Sequence, residues 1–402
     1  MSRPRPILPA LLSAVLLLLF AGEAAAQEWN DVLAKARGQV VQFATWSGSA
    51  KANDYLHWVA ETVKARFDVD VKHVKLADTA EAVARVQADK AAGRSKDGAI
   101  DLLWINGKHF AAMKEKGLLF GPFTQRLPNQ RLVDTAGKPT TVDFTVPVEG
   151  MEAPWSMARF VFVHDSATLP SPPRSIQALL EWARENPGRF TYPRPPNLLG
   201  STFLKQVLMA LSSDWSSLVQ PATEENFDLV TEPLWPYLDE LHPLLWRGGT
   251  EFPASGTEER QLLKDGQIDI SMAFSLLEAA SAMEAGLLPT TARVFGLDGG
   301  TIGAVNFLAI PFNARAREGA MVVIDFLLSP EAQARKADPR HWGAATVLDM
   351  AKLRPDERRL FESIPRHPAA PAPDALGPAL PELHPSWAER IEREWRRRYA
   401  GG

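Results

Sequence analysis

Gln39-Val40-Val41-Gln42-Phe43-Ala44, taken with the four segments after it, decides the fold. This short apolar run is succeeded by an amphipathic stretch from Asn53 to Phe67, a second run Val69 to Val74, a helical pattern Thr79 to Ala91, and a third run Ile100 to Trp104. Runs of strand length alternating with segments of helical period predict a βαβαβ unit, hence a parallel sheet covered by helices. Such sheets bind ligands at the carboxyl ends of their strands. Here those ends are Thr45-Trp46-Ser47-Gly48-Ser49 and Trp104-Ile105-Asn106-Gly107.

Farther along the chain, a second α/β region spans Met157 to Ala285, with helical patterns at Ser175 to Glu185, Ser201 to Leu211, Phe227 to Leu241 and Thr257 to Lys264. Strand-like runs lie between them at Arg189 to Tyr192 and Ile268 to Met272. Thr141 to Val148 and Ala304 to Pro311 read as extended connectors on either side. A chain that leaves one α/β lobe, completes another and returns makes a hinged pair. The expectation is an α/β protein of two lobes, each a mostly parallel sheet flanked by helices: residues 27–150 with 305–402 in one, 151–304 in the other. After the return, Ser329 and Pro330 suit the N-cap and first position of a helix running to Lys336.

The tail is unusual. Seven prolines between Pro365 and Pro385 predict an extended strap. Trp387, Ile391 and Trp395 then share one face of a terminal helix beside Arg396-Arg397-Arg398. A helix stapled onto its own lobe is the plainer account; docking to a partner or an anionic surface is the sharper one.

At the other end, Arg3 and Arg5 precede an apolar run from Ile7 to Phe20, and Ala24-Ala25-Ala26 follow. The run is short of the ~20 residues needed to span a bilayer, so residues 1–26 read as a cleavable secretory signal and Gln27 as the first mature residue. A lipid anchor at that cut requires a cysteine, and the sequence has none. The expected address is the periplasm, without an anchor. The 402 residues are 46% hydrophobic and 23% charged, enough for a large core without disulfides. A net charge of −4 and a pI near 6.1 disfavour a nucleic-acid partner.

Chemistry is conspicuous by its gaps. The sequence contains no Gly-x-Ser-x-Gly elbow, His-Glu-x-x-His helix or phosphate-binding Gly-x-x-x-x-Gly-Lys loop. Its eight histidines never fall at helical metal-ligand spacing. No catalytic residue, metal or cofactor is expected. What remains is indole and small polar groups at strand ends: 12 tryptophans against 4 tyrosines, with Trp46, Trp104, Trp155 and Trp246 at or just after predicted elements. Apolar walls with a few polar groups to fix orientation are the make-up of a ligand cleft.

The stretch Ala320-Met321-Val322-Val323-Ile324-Asp325-Phe326-Leu327-Leu328-Ser329-Pro330-Glu331-Ala332-Gln333 resembles a helix pair common in bacterial extracellular solute-binding proteins. Within them the chain is most similar to the YnjB-type branch of ABC-transporter binding proteins. That likeness rests on Trp46-Ser47-Gly48-Ser49, Asp101 to Gly107, Val146 to Gly150, Ala153-Pro154-Trp155, Trp342-Gly343 and Val347-Leu348-Asp349. Ser47 departs from it, standing where a Trp-Gly-Gly-Ser loop has glycine. The resemblance implies a type II-like periplasmic binding fold of two hinged lobes, in a monomer that closes on one solute and delivers it to an inner-membrane ABC permease.

By the same resemblance, Trp46, Ser47, Gly48, Ser49, Trp104 and Asn106 face the ligand from the first lobe, with Trp155 at the crossing. From the second come Asn197, Ser201 and Thr202 at a helix start, then Trp246, Ser255 and Glu278. Indoles with an acidic group such as Glu149, Glu152 or Glu278 suit an organic cation, thiamine-like, choline-like or polyamine-like, through cation–π contacts. A sugar also stacks on tryptophan and is next in order. Ferric iron is disfavoured because no two tyrosines adjoin. Other classes are a secreted hydrolase acting on a saccharide, which needs a perturbed carboxylate pair across a cleft, and an adhesion role, which needs an open surface without a pocket.

Overall fold

The computed structural model describes residues 27–46, 50–76, 79–371 and 376–399, with the backbone alone at Trp46 and Ala50. A helix over residues 27–36 (α1) leads into strand β1 (Val40–Trp46), helix α2 (Ala50–Phe67), β2 (Asp70–Leu76), α3 (Thr79–Ala91), β3 (Leu102–Ile105) and α4 (Lys108–Glu115). Ala52, Tyr55, Leu56, Val59 and Val63 recur three and four apart on α2 and are buried against the sheet, which is why this segment is a helix here. β1 pairs parallel with β2 from Val40 opposite Asp70 to Trp46 opposite Leu76, and parallel with β3 at Phe43 and Ala44.

The expected connector after α4 is a small antiparallel hairpin, β4 (Val142–Asp143) and β5 (Val146–Pro147). Then come β6 (Glu152–Arg159) and β7 (Val161–Asp165), separated by Phe160 alone. Helices α5 (Ile176–Glu185), α6 (Leu198–Leu211), α7 (Trp215–Leu218), α8 (Glu224–Thr231), α9 (Leu234–Leu241) and α10 (Gly256–Lys264) precede β8 (Ile270–Ala273), α11 (Glu278–Glu284), β9 (Ala292–Phe295) and β10 (Thr301–Ala309). The chain closes with α12 (Arg317–Leu327), α13 (Pro330–Ala337), α14 (Pro355–Glu362), β11 (Ala379–Leu380) and α15 (Pro385–Tyr399).

β10, expected as a connector, is the second crossing strand. It pairs antiparallel with β3 and with β6, and parallel with β11 at Thr301 and Ile302. The second sheet has order β8-β7-β9 and is antiparallel about β7. The sequence predicts a mostly parallel sheet there. The difference follows from β7 continuing β6 with no helical crossover to reset its direction. Phe227 to Leu241, read as one helix, is two, because Pro233 at the junction supplies no N–H. Arg189 to Tyr192, read as a strand, contributes one bridge, Phe190 to Ile270, before the prolines Pro193, Pro195 and Pro196 end it.

Buried apolar residues form three clusters. The first joins residues 32–155 with 305–353 and defines a first unit; the other two draw on 160–302 and define a second. β6 therefore belongs to the first unit, and the chain crosses at Phe160 rather than after Gly150. The tail also departs from the expected division, which keeps 305–402 with the first lobe. Ala369 and Leu376 pack in the third cluster, and Trp387, Ile391 and Trp395 in the second. The strap carries the chain across a third time, because the apolar surface that receives the α15 face is built from α6, α8 and α9: Trp387 stacks on Phe227 of α8, and Arg398 lies over Trp235 of α9. Among the described residues no helix is long and apolar enough to cross a membrane.

Candidate functional site at the crossing strands

Between its pairing with β3 at Phe307 and with β11 at Ile302, β10 contributes Gly303, Ala304 and Val305 to the floor of a groove of about 240 Å³. The first unit supplies one wall through Asp143, Phe144 and Thr145 of the β4–β5 hairpin. The second supplies the other through Val219 and Gln220 after α7 and Pro381 and Glu382 after β11. Residues of both units thus meet across a crossing strand.

The acidic groups at this groove are unevenly partnered. Asp143 Oδ2 accepts the Gly107 amide at 2.7 Å, while its Oδ1 has no donor among the described residues. Burial pushes its carboxyl up to about 8; the Gly107 bond opposes the rise and the Glu382 charge adds to it. Glu152, at the start of β6, is fully buried with neither oxygen partnered among the described residues, and burial followed by the Asp143 charge raises its pKa well above the ordinary range. Glu382 is satisfied: the Lys205 ammonium of α6 donates to it at 2.5 Å and lies 5.7 Å from the Phe144 ring centroid.

A hydrogen-bonded set adjoins the groove at Asn306. Its Oδ1 accepts from Trp104 Nε1 at 3.1 Å and from Asn106 Nδ2 at 3.3 Å, and its Nδ2 donates to Ser156 Oγ at 3.1 Å. The partly exposed Trp104 indole stands edge-on to Trp155 at 5.1 Å and near Trp342 at 5.9 Å. α13 holds this aromatic group from behind. Gln333 Nε2 and Lys336 Nζ both donate to the Trp155 carbonyl, and the Lys336 carbonyl accepts the Gly343 and Ala344 amides that follow Trp342. Farther out the units touch again. Lys51 donates to Pro339 O at 2.8 Å and pairs with Glu284 at 3.3 Å, while Leu277 packs so closely on Gly343 that a Cβ there would clash with it.

Of the residues expected at the site, Trp104 and Asn106 lie together in this set. Trp46 ends β1, beside β3; Ser47, Gly48 and Ser49 lie outside the described residues. Trp155 is at the crossing as expected but is fully buried, a core residue behind Trp104 rather than a wall. The second-unit expectations mostly resolve into local structure. Asn197 and Ser255 cap α6 and α10, Ser201 donates to Glu392 of α15 at 2.5 Å, and Thr202 is buried. Trp246 donates to Gln267 and carries Arg247 4.4 Å over its ring, and Glu278 pairs with Arg260. Sequence reasoning missed Asn306, Ser156, Asp143, Phe144, Lys205 and Glu382. Asn306 alone carried a signal, as the one large polar side chain in Ile302 to Pro311. Asp143 and Glu152 form a perturbed carboxylate pair, but both come from one unit and Glu152 is fully enclosed, so they do not form the acid and base of a hydrolase across a cleft. Among the described residues no group of three or more His, Asp or Glu side chains is placed to hold a metal ion.

Residues 58–357 match the family described as bacterial extracellular solute-binding protein. Over 384 residues the chain is 43% identical to the protein YnjB of Escherichia coli strain K12, covering 96% of this chain and 97% of that one. The fold is similar to that of the spermidine/putrescine ABC transporter substrate-binding protein PotD from Streptococcus pneumoniae, with TM-score 0.63, 13% identity and coverage of 90% and 98% of the two chains. It is likewise similar to an ABC transporter substrate-binding protein from Bradyrhizobium japonicum, with TM-score 0.60, 18% identity and the same coverage.

Proposed function

Because the chain belongs to the bacterial extracellular solute-binding proteins, the solute-capturing components of ABC importers, we propose that its solute is an organic cation held between the two units. Hinge motion about β6 and β10 closes the units on the solute, and the closed form is what a membrane permease receives. Ligand favours closure only through contacts it cannot make in the open form. No bond in the solute is made or broken. The proposal includes export to the periplasm through residues 1–26, release without a lipid anchor, and action as a monomer.

The observation that carries the solute class is the partly exposed Trp104 indole, bonded to Asn306 and 5.9 Å from the partly exposed Trp342, next to a groove lined by the carboxyls of Asp143 and Glu382. Indole faces attract cations by ~0.5–2 kcal/mol each. Proteins of this fold are described with spermidine or putrescine, with fructose-6-phosphate and with GABA, so the fold itself leaves the class open.

The test is a thermal-shift screen of protein unfolded and refolded to remove carried-over solute, against polyamines, choline, thiamine, sugars, amino acids and metal ions. A solute at 100 times its Kd adds about 2.7 kcal/mol of stability. A cation hit abolished by Trp104→Ala supports the reading; a hit confined to sugars, amino acids or metals overturns it.

A further inference from the structure

We propose that the groove between the β4–β5 hairpin and Pro381–Glu382 is a binding site for a primary ammonium group, with the Asp143 carboxylate as its anchor. This rests on the reading of the protein as a binder of organic cations and adds to it a position and a donor requirement.

Asp143 is 1% exposed, lines the groove, and has one oxygen without a donor among the described residues. A buried carboxylate normally finds donors for both oxygens, since an unmet one forfeits its solvation without return. The cations around it are already taken. Lys205 is committed to Glu382, and Lys114, the cation felt at Glu152, donates to Pro147 O and pairs with Glu149 at 2.8 Å. Asp143 and Glu152 therefore share a buried region in which neither of these cations is free to pair with them. An anion entering there would face the Glu382 carboxylate and find Lys205 and Lys114 already paired. A neutral alcohol could donate to Oδ1 but could not stabilise the ionised carboxylate, as an ammonium does.

The requirement for an N–H donor selects a primary ammonium over a quaternary one. Lys205 already shows how the groove receives such a group, seated on a carboxylate and over the Phe144 ring. Burial keeps Asp143 largely protonated at neutral pH, and the Glu382 charge adds to this, while Glu152 is itself held neutral by burial and Lys205 and Lys114 are turned to other partners. An arriving ammonium stabilises the ionised carboxylate, so the Asp143 proton passes to solvent as the solute binds. Affinity consequently rises with pH toward about 8.

Isothermal titration of the full chain with 1,4-diaminobutane, in two buffers of different ionisation enthalpy, measures both affinity and proton release. The expected result is binding with release of a proton, at least tenfold weaker binding of 1,4-butanediol and of tetramethylammonium, and at least tenfold loss in Asp143→Asn together with loss of the released proton. The amide introduced by that substitution keeps an acceptor for Gly107; should the variant fail to fold, proton release and the diol comparison on the unaltered chain decide alone. Equal binding of the diol, binding without proton release, unchanged affinity in a folded Asp143→Asn, or no amine binding each overturns the anchor. If choline or thiamine binds in a Trp104-dependent way while the diamine does not, the anchor fails and the organic-cation reading stands. If only non-cationic solutes bind, both fail.

Discussion

Two aromatic groups of similar size occupy different units of this molecule and are finished differently. In the second unit, Trp395 Nε1 donates to the Tyr192 hydroxyl at 2.7 Å, that hydroxyl meets His242 Nε2 at 2.7 Å, and Tyr399 donates to Asp239 at 2.7 Å. Each of these polar tips has a partner inside the protein. In the first unit, Trp155 Nε1 has none among the described residues, and Trp104 keeps part of its surface open. Both groups bury indoles, so apolar contact does not separate them. Exposure does: the sealed group fastens α15, whereas Trp104, its Nε1 paired with Asn306, leaves part of its ring open beside the groove and the unpaired Trp155 Nε1 stays buried behind it.

Substitution can pull the two groups apart. Trp395→Ala should cost about 3–5 kcal/mol in denaturant unfolding, because it removes a fully buried indole and a partner of Tyr192, and should leave solute affinity within about twofold. A comparable loss of affinity would make α15 part of the site.

Acid should unfasten the same group. Burial lowers the His242 pKa to about 4, with Asp239 opposing, so the unfolded chain binds a proton there first. Stability from this residue is complete above about 6.5 and is lost as pH falls toward 4, up to roughly 3 kcal/mol. Unfolding free energies between pH 7 and 4 should show this slope, and His242→Gln should flatten it.

Trp104→Ala should weaken solute binding at least tenfold, about 1.4 kcal/mol, with a smaller effect on unliganded stability than Trp395→Ala. Equal loss of stability would make Trp104 core. The finest comparison pairs Trp155→Phe with Trp395→Phe: the second breaks a bond and the first does not, so the second should cost about 1 kcal/mol more.

Local pattern carried much of the architecture. Strands at Val40–Trp46, Asp70–Leu76 and Leu102–Ile105 and helices at Thr79–Ala91 and Pro330–Ala337 lie where periodicity and capping place them, because each is encoded within its own residues. The tail was not legible to that extent. The face of Trp387, Ile391 and Trp395 is plain in the sequence, but its receiving surface is assembled from α6, α8 and α9, far earlier in the chain. The site divides the same way. Trp104 and Asn106 follow from lying at a strand end. Asp143 reads as an ordinary turn residue until Gly107 and Glu382 are folded against it, and Ser201, placed at a helix start, gives no sign that Glu392 would claim its hydroxyl.

The third crossing has a practical use. Because α1 packs through Val32 and Ala36 on the first unit while α15 packs on the second, the two outermost described helices ride on different bodies. A donor dye on an exposed face of α1 and an acceptor on α15 would form an optical ruler across the hinge, converting solute capture into a change of energy transfer without a label near the groove.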